Sequence, residues 1–342
     1  MKSQTHKQED DIWLLLDSRD VGGIESHIFQ LALGLKQLQR SVRVIFLCKY
    51  EHPHPLTTTL NSANISYHFL EGSWSDLLNY TRHHQPRVIH SHGYKAALYS
   101  RLLRLSLLTS HQKIRFINTF HAGEIGQGKL ALYDTIDRWS APFSHHNFAV
   151  SELINQRVPS QTTVLNNFID TEDLTQSSGK QIAFVGRLSH EKAPDRFIEL
   201  AKQHPAYSFH LYGSGPMEQE LTLTLPNNVV FHGHQTSMET IWKDIGLLII
   251  CSRYEGLPMT ALEAMGRGIP VISTPVGNIS KLIQSETNGW IVEPEELSQA
   301  LLHWFELSAI NKIEIQQAAQ KTIQDHFSTK AIVPRVLELY RI

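Results

Sequence analysis

Two glutamates, Glu255 and Glu263, mark the stretch CSRYEGLPMTALEAMGRGIPVIST from Cys251 to Thr274, with Gly256 and Pro258 just after the first. Proline suits the first turn of a helix, where its missing N–H costs nothing. Glu255 is then expected just ahead of a helix, and Glu263 about a turn and a half inside it. At about 1.5 Å per helical residue their offset spans about 12 Å or less, the distance from a sugar across a diphosphate to a ribose. One carboxylate can accept hydrogen bonds from sugar hydroxyls and the other from ribose hydroxyls, while the helix N-terminus between them faces phosphates. The competing reading makes Glu255 a solvated loop acid and Glu263 an ion-pair partner of Arg267, worth about 0.3 kcal/mol.

Three further loops carry groups suited to an anion. In FVGRLSHEKAPDRFIEL, Arg187 and Lys192 precede a helix expected to begin near Pro194. Charge-assisted hydrogen bonds to ionised oxygens contribute about 1.5–3 kcal/mol each, whereas solvated surface cations contribute close to nothing. The alternative for this loop is pairing of its cations with Glu191 and Asp195. In LYGSGP, Gly213 and Gly215 flank Ser214 in a close-approach turn. In DSRDVGGIESHIFQLALGL, Gly22 and Gly23 open an amphipathic helix and can present backbone N–H groups to an anion, or can simply form a tight turn.

These loops need a scaffold that delivers them to one place. Short apolar runs, DIWLLLDS, VRVIFLC, RVIHSHG, RFINTF and NFAVS, alternate with helical patterns, and a second series follows in QIAFVGR, SFHLYGSG, NVVFHGH, LLIICS and PVISTP. The rhythm is that of parallel sheets, and it restarts, so the fold class is α/β with two doubly wound Rossmann-like domains facing a cleft. The first domain is expected over 1–170, a polar linker over 171–180 and the second domain over 181–325. The terminal helical stretch, 326–342, can pack back on the first domain. Ligands of such sheets bind beyond the carboxyl ends of the strands, where all four loops fall.

Composition narrows the partners. The 342 residues are 41% hydrophobic and 19% charged with a formal net charge of −2, which gives no bias toward nucleic acid. The polar N-terminus lacks the long apolar region of a secretory signal, and no span approaches the ~18 apolar residues of a membrane-crossing helix. Cys48 and Cys251 sit in separate apolar runs without disulfide or ligand spacing, so a cytoplasmic location is expected. The histidine pairs in HPH, HSH and HGH share strand faces, but no third ligand stands at suggestive spacing, so polar or core histidines are expected and no metal. From Arg82 to Arg138 nine Lys and Arg face three acids, Glu124, Asp134 and Asp137. YKAALYSRLLRLSLL within this span reads either as an amphipathic basic helix for an anionic membrane surface or as a sheet-covering helix with a solvated edge.

Taken with GGIESHI, HSHGYKA, NTFHAGE, FVGRLSHEK and YGSGP, the stretch SRYEGLPMTALEAMGRGIPVIST resembles the retaining glycosyltransferases of family 4, with GT-B fold and nucleotide-sugar donors. The resemblance covers nearly the whole chain, and its most specific mark is the spacing of Glu255 and Glu263. It implies that Arg187 and Lys192 bind the donor diphosphate, Glu255 contacts the transferred sugar and Glu263 holds the ribose. It places Gly22 and Gly23 near the phosphates, His121 close to the reacting sugar, and the amides of Gly256 and Leu257 in the same region. It further implies transfer with retention to a glycan or lipid-linked acceptor in cell-surface polysaccharide or lipopolysaccharide biosynthesis; peripheral contact at the inner membrane surface follows only from the first of the two readings of the basic helix. No D-x-D sequence occurs, which weighs against a metal on the diphosphate, and no cofactor is expected beyond the donor itself. The chain departs from the family where VGNISKLI carries Asn278, Ser280 and Lys281 for the usual Gly, Pro and Glu, and where Ala193 replaces a glycine. Two other readings remain open at this point, a sugar-nucleotide epimerase on the same architecture and a donor-binding subunit without catalysis.

Overall fold

The structure is a computed structural model, and it describes residues 12–18, 22–110, 113–121, 129–235, 237 and 239–341. The described residues form two compact units, one up to Asn166 together with everything from Thr329 onward, the other Asn167–Ser328.

The first unit is built on a seven-stranded parallel sheet: β1 (Ile12–Leu16), β2 (Val42–Phe46), β3 (Ser66–Phe69), β4 (Val88–His92), β5 (Arg115–Phe120), β6 (His146–Ala149) and β7 (Thr162–Val164), ordered β3-β2-β1-β4-β5-β6-β7. β1 and β4 are buried along their whole length, as strands covered on both faces must be. The terminal helix, Thr329–Tyr340, packs against the Gly23–Gln37 helix of this unit, and the Tyr340 hydroxyl lies 2.6 Å from His90 Nδ1.

The second unit carries a six-stranded sheet of β8 (Gln181–Val185), β9 (Phe209–Tyr212), β10 (Val229–Gly233), β11 (Ile245–Ile250), β12 (Val271–Ser273) and β13 (Gly289–Ile291), ordered β10-β9-β8-β11-β12-β13. Every strand pairing in both sheets is parallel. In each sheet the strand order reverses once, between β1 and β4 and between β8 and β11, and those are the switch points where doubly wound sheets leave a crevice for ligands.

The division between units falls after Asn166, and the segment 171–180, expected as a linker, lies wholly in the second unit. Its polarity is not that of a free tether. Ser177 Oγ donates to the Ile245 carbonyl at 2.7 Å, and the Lys180 amide donates to Asp244 O at 3.0 Å. Residues 326–328 likewise complete the second unit, as the end of the Ala309–His326 helix and the turn after it.

Candidate functional site

In the second unit, the loops that leave β8 and β11 carry Arg187, Lys192 and Glu255. Lys192 Nζ donates to Glu255 Oε1 at 2.5 Å, and Ser252 Oγ donates to the same oxygen at 2.8 Å. The Glu255 side chain is 9% exposed and that of Lys192 30%, so the ion pair opens to solvent on the lysine side. The ammonium keeps two N–H donors for an anion, and Glu255 Oε2 has no hydrogen bond among the described residues. Arg187 is exposed and makes no salt bridge among them.

The pairing of these cations with Glu191 and Asp195, the bland alternative, is not what the structure holds. Asp195 is taken by Arg253, which donates to both of its carboxylate oxygens at 3.0 and 2.6 Å. The same guanidinium donates to the His190 carbonyl, and the Arg253 amide to Glu191 O, so Arg253 fixes the loop that carries Lys192. Sequence reasoning missed Arg253 and Ser252, because both act through a neighbour and neither spacing advertises that. Lys192 is followed by Ala193, at φ 53° and ψ 51°, and by the Pro194–Gln203 helix with proline at its start.

Glu255 precedes the Met259–Gly266 helix, with Pro258 one position earlier than expected, at its N-cap. The amides of Gly256 and Leu257 make no hydrogen bond among the described residues, and a Cβ added to Gly256 would meet nothing within 4 Å. Gly213 differs: φ is +132°, and an added Cβ would lie 1.9 Å from the Gly186 carbonyl oxygen. Its glycine is therefore required by the packing of the loop after β9 on the loop after β8, which holds Arg187. Glu263 lies on the helix with its carboxylate accepting from Trp242 Nε1 at 3.2 Å. Burial pushes that carboxyl up from its ordinary value, partly offset by Arg267 and by the Trp242 bond. The ion pair with Arg267, the competing reading, is not formed among the described residues; Arg267 donates to the Glu263 backbone carbonyl at 2.9 Å and lies over the Trp242 ring.

In the first unit, Gly22 and Gly23 follow β1 at the sheet's own switch point. The Gly22 amide already donates to Glu25 Oε2 at 2.7 Å, so a carboxylate sits where an anion was expected, while Gly23 has open space on its Cβ side. His121 follows β5 and lines a cavity of about 500 Å³ with Asp17, Ile24, Tyr94, Tyr99 and Arg138. The rest of the AGE in NTFHAGE lies outside the described residues. His121 Nε2 is 3.0 Å from His92 Nδ1, and His27 joins them with a ligand atom within 4.8 Å of both. Burial pushes His90, His92 and His121 well below the ordinary imidazole value, and neighbouring histidines add to it.

The basic helix, Tyr94–Ser106, contributes fewer surface charges than its sequence suggested. Arg101 is 2% exposed and donates to Asp137 Oδ1 at 2.6 Å and to Ser140 Oγ. Burial pushes the Asp137 carboxyl up to about 6, against the pull of Arg101. Beside this buried link the surface is apolar: Leu102, Leu105 and Leu108 on one segment, and Leu132, Ile136 and Trp139 on the adjoining Lys129–Trp139 helix, are all exposed. No helix of the described residues is long and apolar enough to cross a membrane.

Two family models match the chain. The model for glycosyl transferases group 1 covers residues 167–322, starting where the second unit starts, and that for glycosyltransferase family 4 covers residues 21–173. A poly(ribitol-phosphate) alpha-N-acetylglucosaminyltransferase of Staphylococcus aureus is 24% identical over 203 residues, 55% of this chain and 41% of that one. The O-antigen biosynthesis glycosyltransferase WbnH of Escherichia coli is 31% identical over 164 residues, 46% of each chain. The matched stretches thus span less than half the length of these curated relatives. The HepE protein of Anabaena, solved with UDP-glucose, superposes with a TM-score of 0.80 at 17% identity over 96% of this chain and 98% of that one. With both family models laid end to end on its two units and this architecture throughout, the chain belongs to the group 1 glycosyltransferases of GT-B fold.

Proposed function

We propose that the protein is a retaining glycosyltransferase that moves a sugar from a nucleotide-diphosphate donor to a glycan or lipid-linked acceptor of cell-surface polysaccharide or lipopolysaccharide biosynthesis. One observation carries this reading: Lys192, Ser252 and Glu255 are bonded together at the switch point of the second unit, beside the unbonded amides of Gly256 and Leu257. The relative named for O-antigen biosynthesis supports the substrate class.

Cleavage of the sugar–phosphate bond builds charge on the leaving diphosphate, and fixed cations and amides stabilise that charge more than they do the ground state. Arg187 and Lys192 supply the cations, so the diphosphate needs no metal ion. Glu255 Oε2 accepts from a hydroxyl of the transferred sugar, Glu263 binds the ribose, and His121 approaches the reacting sugar. With retention, the leaving phosphate takes the acceptor's proton on the face it departs from, and no separate base is required. The acceptor occupies the cavity of the first unit. The exposed leucines, Trp139 and Phe143, with Lys95, Arg104 and Arg138 around them, rest on an anionic lipid surface where lipid-linked acceptors are held.

The test begins with a thermal-shift screen of UDP-, GDP- and ADP-sugars, UDP first because the HepE protein was solved with it. A ligand at 100 times its Kd adds about 2.7 kcal/mol of stability. Transfer from the donor so found is then assayed, with the anomeric configuration of the product read by NMR. Glu255→Gln should lower turnover on the order of 10²-fold or more while leaving the melting temperature within a few degrees. Wild-type turnover in that variant removes Glu255 from the reaction, and an inverted product removes the retaining mechanism.

A further inference from the structure

Three histidines from separate segments meet in the first unit. His27 lies on the Gly23–Gln37 helix, His92 ends β4 and His121 directly follows the adjacent β5. Their ring centroids are 5.7 Å apart for His27 and His92, 5.0 Å for His27 and His121, and 5.3 Å for His92 and His121. Three imidazoles around a tetrahedral ion at 2.0–2.1 Å metal–nitrogen distance have neighbouring nitrogens about 3.3 Å apart and ring centroids about 5.2 Å apart. The triangle already has that size.

The chemistry of the donors agrees with the geometry. His27 and His92 are buried, and His121 is half-buried and lines the cavity, so the cluster has an opening on the His121 side. His92 Nδ1 and His121 Nε2 face each other at 3.0 Å, near the spacing of two nitrogens on one ion. His90, whose ring is 4.3 Å from that of His92, is excluded as a fourth ligand, because its two nitrogens are taken by Tyr340 and Thr119 at 2.6 and 2.7 Å. It packs behind the cluster instead.

We propose that His27, His92 and His121 form a binding site for one transition-metal ion of the zinc class, with the fourth position open toward the cavity. All-imidazole donation suits zinc, cobalt(II) and nickel(II), and disfavours magnesium and calcium, which take oxygen ligands. All three ligands belong to the first unit, and the proposal does not rest on the transfer reaction.

The experiment titrates zinc chloride into chelator-stripped, tag-free protein against a chromophoric competitor, and repeats the titration with cobalt(II) read by its visible ligand-field bands. Wild type should take up one ion per chain, with the intense bands of a four-coordinate cobalt site, and should ignore magnesium. His27→Ala should bind at least about tenfold more weakly. His210→Ala, which breaks the 3.0 Å contact between His210 and His232 in the second unit, should bind like wild type. Wild-type protein that takes up no stoichiometric zinc overturns the proposal irrespective of how any variant folds. So does binding that survives in a folded His27→Ala chain, or that is lost in His210→Ala.

Discussion

Gly277 offers a way to move Glu255 without touching it. Its φ is +49°, and an added Cβ would lie 2.1 Å from the Gly256 carbonyl oxygen and 2.3 Å from that of Glu255. In Gly277→Ala the Glu255–Gly256 peptides must retreat by about 1 Å to reach ordinary contact distance. The hydrogen bond from the Asn278 amide to Gly256 O, 2.7 Å in the native loop, opens with them. Left-handed alanine costs about 1–2 kcal/mol and the lost hydrogen bond about 1, so stability should fall by about 2–3 kcal/mol. For a unit of this size that is a drop in melting temperature of roughly 5–10 °C. A displacement of about 1 Å in a substrate-positioning group can cost on the order of 10²-fold in rate.

Gly256→Ala is the matching control. It adds a methyl group on the same loop where, its chain neighbours aside, no atom of the described residues lies within 4 Å. Its stability should stay within about 0.5 kcal/mol of wild type. Donor affinity should still weaken, because the methyl enters the space assigned to the donor. Both variants are compared by thermal unfolding and by initial rates of sugar transfer well below the melting temperature. Gly277→Ala with the expected loss of melting temperature but wild-type turnover would refute the claim that the reaction depends on where Glu255 stands. Unaltered donor affinity in Gly256→Ala would show that no ligand passes that face of the loop.

Lys192→Met should weaken UDP binding by about 10- to 100-fold in calorimetry, the loss of one charge-assisted hydrogen bond; wild-type affinity counts against the diphosphate assignment. Asp137 sets a pH dependence. Its folded carboxyl, pushed up to about 6, holds a proton that the unfolded chain, near 3.9, has released. The stability it contributes is therefore present at low pH and lost as pH rises through about 6, a slope that Asp137→Asn should remove. Melting temperatures from pH 4.5 to 6.5 that rise more in wild type than in the variant contradict this. Trp139→Glu, at a side chain 73% exposed, should reduce sedimentation with phosphatidylglycerol vesicles, and equal sedimentation would separate this face from the membrane.

Much of this arrangement was legible because the hydrophobic runs are long and their ends carry chemistry. Both sheets could be read from ten apolar strands. Three more, β3, β7 and β13, escaped for physical reasons: β7 and β13 have three residues each, and β3 reads SYHF with no fully buried position. The cations Arg187 and Lys192 could be read from sequence, but the groups that hold their loop could not. Arg253 serves Asp195 across 58 positions, and nothing local to either residue marks the pair. The histidine cluster stayed hidden for the same reason. Strand spacing pairs His90 with His92, whereas the fold pairs His92 with His121 across two strands and brings in His27 from a helix.

The departures from the family pattern are where sequence and geometry inform each other most. Ser280 and Lys281 are exposed, so losing the usual Pro and Glu there disturbs no packing. Asn278 is buried, and its amide bonds to Gly256 O, so the change at that position falls on the loop that places Glu255. Ala193 is a different case. At φ 53° its backbone is in the region where glycine is favoured, which is the physical reason for the glycine that the family usually carries. Alanine there bears a strain of about 1–2 kcal/mol. In return its methyl group is fully buried among Leu188, Phe197 and their neighbours, and the unfolded chain loses freedom that glycine would have. These terms are of similar size and opposite sign. The loop that presents Lys192 can therefore keep its left-handed turn without its glycine, and the contact of Lys192 with Glu255 survives a substitution that sequence alone would read as a lost motif.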